Sequence, residues 1–143
     1  PGAVKTVYRL LDMGIRPYVI RAAIRAIVGQ RLLRRLCPIC RLPYQVQQNS
    51  REGHFLGEAY RPEDIYYHHN PQGCPQCGHT GFIGRIAIHE ILCFSEELSE
   101  EPKDKEVGAS LISSDCLLST MREDGIAKAL AGEIQLEELM NIF

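Results

Sequence analysis

Apolar residues at Val4, Val7, Tyr8 and Leu11 fall at i, i+3, i+4 and i+7, the spacing of one face of an amphipathic helix. Gly14 stands where that helix should stop, as a residue that tolerates positive φ. Pro17 suits the first turn of a second helix, whose apolar face would carry Val19, Ile20, Ala23, Ile24 and Ile27. Residues 27–36 fit either a continuation of that helix or a strand with Val28, Gln30, Leu32 and Leu36 along one face; a strand is expected after Gly29. Strand character returns over 82–94, where Ile86 and Ile88 alternate with Ala87 and His89. Toward the end, Ser113, Ser114 and Asp115 suit helix caps. Three short helices are expected after them: one marked by Leu117, Leu118 and Met121, one by Ile126, Ala129 and Leu130 and stopped by Gly132, and one by Leu136, Leu139, Met140 and Phe143.

Between these patterned stretches, residues 37–81 are rich in Cys, Pro, Gly, Gln, His and Tyr and carry little periodic apolar signal. Such a stretch has trouble building its own core, and a bound metal can supply the missing stability. Arg61-Pro-Glu-Asp64 within it reads as a turn or a short helix start. Residues 95–110 are acidic and polar, most acidic over 95–106, and read as a solvated helix or a mobile linker.

Charge is divided along the chain. Nine Lys or Arg and one acid, Asp12, lie within residues 1–41, a balance of +8 against −10 for the remainder. That asymmetry fits a polyanion-binding front end, or equally a solvated helix face with a subunit interface. The 143 residues suffice for one ordinary domain or two small units, and 45% hydrophobic content allows a modest core. No apolar run approaches the roughly 20 residues of a membrane-spanning helix. The chain opens Pro1-Gly2-Ala3-Val4 without a methionine or a signal-peptide pattern, which reads as a piece of a longer protein.

Four of the six cysteines form two pairs, Cys37-Pro38-Ile39-Cys40 and Cys74-Pro75-Gln76-Cys77. A two-residue spacer lets one tight turn aim both sulfurs at one ion. Two such turns complete a tetrahedral shell of four thiolates, closed and therefore structural, with zinc the expected metal. Gly78 suits a knuckle in which backbone N–H groups turn toward a thiolate. The 33 residues between the pairs are a long insertion, tolerable because loop closure grows only slowly in cost. Disulfides, plain buried thiols and a redox Cys-x-x-Cys are the alternatives. Cys93 and Cys116 read as core residues. His54, His68, His69 and His79 flank the module as substitute ligands or packed and exposed turn residues, and His89 reads as structural.

Phosphate-loop, nucleophile-elbow and His-Glu-x-x-His patterns are all missing. The segments Arg9–Gly14, Gln30–Cys40, Gly73–Gly78 and Thr80–Ile91, followed by Met121–Gly132 and Leu136–Leu139, closely resemble the type II secretion and type IV pilus-assembly ATPase family, in order and over nearly the whole chain. The resemblance implies an α/β chain: the C-terminal part of a RecA-type P-loop ATPase core (1–36 and 81–94), an inserted four-cysteine zinc-binding subdomain (37–80), and a linker with a C-terminal helical appendix (95–143). It further implies a parent that is a cytoplasmic homo-hexamer docked on the bacterial inner membrane. Such a parent works with secretion or pilus platform proteins, and its ATP and magnesium site lies upstream of this chain. Two departures from the family pattern stand out. Ile134-Gln135 occupies the place where a Thr or Ser usually caps the last helix, and the acidic stretch 95–106 matches nothing in it. Gln30, Arg31, Arg34 and Arg35 are candidates for contact with nucleotide phosphates or with acidic groups of a neighbouring subunit, or are solvent-facing charge on a strand. The competing reading is a free-standing zinc ribbon that binds nucleic acid through the basic front end. Aromatic residues are not interleaved with the basic ones as a single-strand platform requires, so no direct nucleic-acid contact is expected.

Overall fold

The computed structural model describes residues 2–94 and 117–143. The chain divides into two compact units, 1–30 with 89–121 and 31–88 with 122–143.

In the first unit, α1 (Ala3–Asp12) and α2 (Pro17–Ala23) begin where the sequence pattern placed them. Gly14, at φ +80°, ends α1: its N–H bonds to Leu11 O at 2.9 Å and that of Ile15 to Leu10 O at 3.1 Å, the paired closure of a Schellman motif. Pro17 occupies the first turn of α2, where its missing N–H costs no bond. The expected apolar face of α2 was drawn too long. The helix stops at Ala23, Ile24 is extended, and β1 spans Ala26–Leu36, starting before Gly29 rather than after it. β-Branched Ile24, Ile27 and Val28 favour the extended backbone, and Phe94 donates its N–H to Arg25 O at 2.9 Å. A core of Ala3, Val7, Ile20, Leu92 and Phe94 closes this unit. The first helix has no side-chain cap of its own. Glu90, from the strand β4 (Phe82–Cys93), supplies one by accepting the Val4 N–H at 2.9 Å, a carboxylate at the positive end of the helix.

One three-stranded sheet has the order β1-β4-β5, with β5 at Leu117–Ser119. Leu117 and Leu118 mark a strand and not a helix, because Leu92 pairs with Leu117 and Ile91 with Ser119 in antiparallel register. The helix that follows, α4, runs unbroken over Met121–Leu130. The acidic stretch and the caps at 113–115 lie outside the described residues.

The second unit holds the Cys-rich stretch, and it contains more regular structure than its composition suggests. Strands β2 (Leu42–Gln45) and β3 (Ile65–His68) pair antiparallel, Tyr44 opposite Tyr66. Between them lies α3 (Arg51–Leu56), whose Ser50 side chain accepts the Gly53 N–H at 3.0 Å as an N-cap. The Arg61–Asp64 segment is a turn, as expected. Helix α4 ends in a second Schellman closure around Gly132, with Gly132 N–H to Ala129 O and Glu133 N–H to Lys128 O. A last helix, α5 (Leu136–Met140), packs against α3 and β3. Leu36, Leu56, Tyr66, Ile88, Ile134, Leu136 and Leu139 are fully buried in this unit.

Candidate metal centre

The two Cys-x-x-Cys turns converge. Strand β1 delivers Cys37 at its end, and a turn brings Cys40 back beside it, with Arg41 N–H bonded to Cys37 O at 3.1 Å. The second pair sits on a single 3-10 turn over Pro75–Cys77, ended by Gly78 in the left-handed region (φ 61°, ψ 33°). Gly73, at φ +58°, has no room for a Cβ, which would fall 2.3 Å from His79 C. Cys37 N–H donates to Gly81 O at 2.9 Å, tying the two turns together.

All four sulfurs lie within 4.8 Å of one another. The Cys37–Cys74, Cys40–Cys77 and Cys74–Cys77 Sγ separations are 3.7, 3.9 and 3.7 Å. Sulfurs at the corners of a tetrahedron with Zn–S bonds of about 2.3 Å stand roughly 3.8 Å apart, whereas a disulfide needs about 2.0 Å. The geometry therefore fits a four-thiolate metal shell and excludes a disulfide within the cluster. No histidine of the described residues joins this group.

Backbone donors point at the sulfurs. Cys77 Sγ receives the N–H groups of Cys74 and Gly81, each at 3.2 Å. Burial acts to raise the Cys77 thiol, but the N–H groups of Cys74, Gly81 and Thr80 together with the Cys74 thiol bring it down to about 6. At Cys37 burial likewise acts upward and is outweighed by the N–H groups of Cys40 and Ile39, so that thiol is also lowered. Cys40 goes the other way, pushed up to about 12 by burial and by the neighbouring thiols. Neighbouring sulfurs resist ionising together, a conflict that a divalent cation relieves.

Around the Gly78 turn, the N–H groups that face a thiolate are those of Cys74 and Gly81. Gly81 is held at φ +78°, and a Cβ there would meet Asn70 O at 2.6 Å. A glycine four residues past the last cysteine was the available sequence signal. Arg41, adjacent to Cys40, was also passed over. It stacks on the Tyr67 ring at 4.4 Å and donates to the carbonyl oxygens of Ala131 and Gly132.

The histidines are mostly packing elements. His68 stacks on Tyr44 at 3.7 Å. His69 stacks on Phe82 at 4.9 Å, and the Gln135 side-chain oxygen accepts its N–H at 3.1 Å and lies 3.0 Å from its Nδ1. Gln135 thus occupies the N-cap position of α5 without capping it, its side chain committed to His69. His54 Nδ1 lies 2.7 Å from Ser50 O, and exposed His79 adopts φ 62°. His89 is half-buried in β4, as is Cys93; Cys116 lies outside the described residues. Arg34 pairs with Glu138 and lies over Phe82 at 4.1 Å, and Arg35 reaches Glu133 at 3.4 Å. Gln30 and Arg31 are exposed on β1.

Residues 2–141 match the family described as Type II/IV secretion system protein. The chain belongs to that family. It is 35% identical over 142 residues to the type II secretion system ATPase E of Vibrio cholerae serotype O1, and 34% identical over 142 residues to the type II secretion system protein E of Aeromonas hydrophila. Each alignment covers 98% of this chain and 27% of the relative. A type IV pilus assembly ATPase PilB of Myxococcus xanthus is 34% identical over 139 residues, 94% of this chain and 24% of that protein. The chain thus spans about a quarter of the length of these family members. Among the described residues, no helix is long and apolar enough to cross a membrane.

Proposed function

We propose that this chain is the C-terminal portion of an ATPase that drives type II secretion or type IV pilus assembly, and that it carries a structural zinc ion on Cys37, Cys40, Cys74 and Cys77. Membership of the family over residues 2–141 supports the first part, and the sulfur separations support the second. On this reading, residues 1–36 and 81–94 belong to a RecA-type core, 37–80 form the zinc insertion and the remainder forms a helical appendix. The whole protein binds ATP with magnesium through a phosphate loop that this sequence lacks. It works as a cytoplasmic hexamer at the inner membrane against platform proteins. Zinc here would be closed to water and would contribute folding energy rather than chemistry.

Gln30, Arg31, Arg34 and Arg35 are proposed to face a neighbouring subunit or its nucleotide. Arg34 and Arg35 would then have to exchange their partners Glu138 and Glu133. Both arginine side chains are about half exposed, whereas the Glu138 and Glu133 side chains are 18% and 31% exposed, so the exchange needs acidic groups or phosphates across the interface and water or new donors for the two glutamates. The nucleic-acid reading is not favoured.

The deciding experiment is elemental analysis of the purified protein beside a Cys37→Ser/Cys74→Ser variant. One zinc per chain, lost in the variant, is expected. No zinc after purification under reducing, metal-replete conditions would overturn the ligand assignment.

A further inference from the structure

The first cysteine turn is bracketed by bonds to one short segment of chain. On its N-terminal side, Leu36 donates its N–H to Glu133 O at 2.8 Å. On its C-terminal side, the Arg41 guanidinium donates to Ala131 O at 3.4 Å and to Gly132 O. Three successive carbonyls, 131 to 133, are therefore taken by the two residues that flank Cys37–Cys40. These carbonyls lie in the turn between α4 and α5, where helix termination leaves acceptors without intrahelical donors and the helix dipole favours a cation. Gly132 is shaped to this contact. It sits at φ +73°, and a Cβ there would fall 2.3 Å from an Arg41 guanidinium nitrogen and 2.9 Å from the Tyr67 ring. Directly beyond the turn come fully buried Ile134 and then Gln135, whose side chain holds His69.

Resting on the zinc reading above, we propose that the Cys37–Cys40 turn is a latch on the α4–α5 turn, so that zinc occupancy governs how firmly α5 is docked. Zinc fixes Cys37 and Cys40, and with them the direction of the Leu36 N–H and the origin of the Arg41 side chain. Without the metal, both donors lose their fixed spacing and the three carbonyls lose their partners. Arg41 is a positioning residue in this scheme: it touches no ligand atom and acts through the turn. Coupling between two events is reciprocal, so a broken latch must weaken zinc binding by the same factor by which zinc loss loosens α5.

The test is hydrogen exchange followed by peptide mass spectrometry on the purified protein, zinc-loaded and after chelation, with Arg41→Ala, Arg41→Lys and Gly132→Ala variants in saturating zinc. Chelation should speed exchange over residues 133–140 on the order of tenfold, the scale of a lost charge-assisted bond, with residues 3–23 unchanged. Arg41→Ala should show the same loosening with zinc still bound at saturation, and should bind zinc correspondingly more weakly in a chelator competition. Gly132→Ala should loosen the same residues, and Arg41→Lys should recover part of what Arg41→Ala loses. Zinc loss without a change over 133–140, or Arg41→Ala indistinguishable from the parent in exchange and zinc affinity, overturns the latch and leaves the metal site standing. Faster exchange throughout the chain on chelation also overturns it, since the effect would be general unfolding. A protein that takes up no zinc overturns the metal site and the latch together.

Discussion

Gln135 shows how a single side chain can be redirected by its surroundings. By sequence it replaces a hydroxyl cap and leaves α5 short of an acceptor. In the folded chain it is 4% exposed and its side-chain oxygen accepts from the His69 backbone. Replacing it with Leu would strand a partly buried N–H, at a cost of about 1 kcal/mol. A lowered midpoint in urea unfolding with an unchanged slope is the expected result. A neutral outcome would mean that the His69 N–H finds another acceptor. The cysteines show the same dependence on context: Cys40 is raised by burial and by its neighbouring thiols, whereas at Cys37 and Cys77 backbone donors outweigh burial and lower the thiol. The Cys77 thiolate favours the folded, metal-free state most above the ordinary thiol value of 9.0, and that contribution is lost as pH falls toward about 6. Cys40, raised to about 12, must release a proton to bind zinc. Both signs make zinc affinity fall on acidification. Competition with a chromophoric chelator, corrected for the chelator's own titration, should show weaker binding near pH ~6 than near pH ~8.

Among the elements, the α4–α5 pair is fitted most tightly. Gly125, inside α4, faces Leu139 of α5, and a Cβ there would fall 2.3 Å from Leu139 Cδ1. Glycine is a poor helix residue by itself, so Gly125→Ala would stabilise an isolated helix by roughly 0.8–1.0 kcal/mol. Against fully buried Leu139 the extra methyl must instead displace a packed neighbour, which typically costs about 1–3 kcal/mol. Net destabilisation in thermal unfolding is expected. A raised melting temperature would show that the two helices are free to move apart. Arginine side chains link α4 and the Cys-rich stretch in both directions. Arg41 of the Cys-rich stretch serves carbonyls at the end of α4, and Arg122 of α4 serves the Phe55 and Leu56 carbonyls at the end of α3 while lying over the Phe55 ring at 5.1 Å. Each helix end is thus completed by a cation from the other segment, the sign that a helix C-terminus prefers.

For the molecule as a whole, the sequence pattern located α1, α2, β4 and the last helix, because each carries its own apolar periodicity and its own punctuation, as at Gly14 and Pro17. It also assigned the four cysteines to one centre, because two Cys-x-x-Cys turns have few other uses. Periodicity failed where a neighbour decides the outcome. Leu117–Ser119 became a strand by pairing with Ile91 and Leu92, 25 and more residues back along the chain, which no local window can register. Strands β2 and β3 were hidden because their inward positions are tyrosine and histidine, Tyr44 against His68 and Tyr66, rather than aliphatic residues. Residue chemistry and spacing therefore determined the sulfur centre and the stop of α1 at Gly14, and the order of short motifs carried the family resemblance, since these depend on turns of a few residues and on short local patterns. Only the tertiary structure decided which backbone groups serve the sulfurs, which strands pair, and that Leu36 and Arg41 meet the same turn. Those outcomes depend on packing rather than on any local preference, and the last of them joins positions 90 or more residues apart.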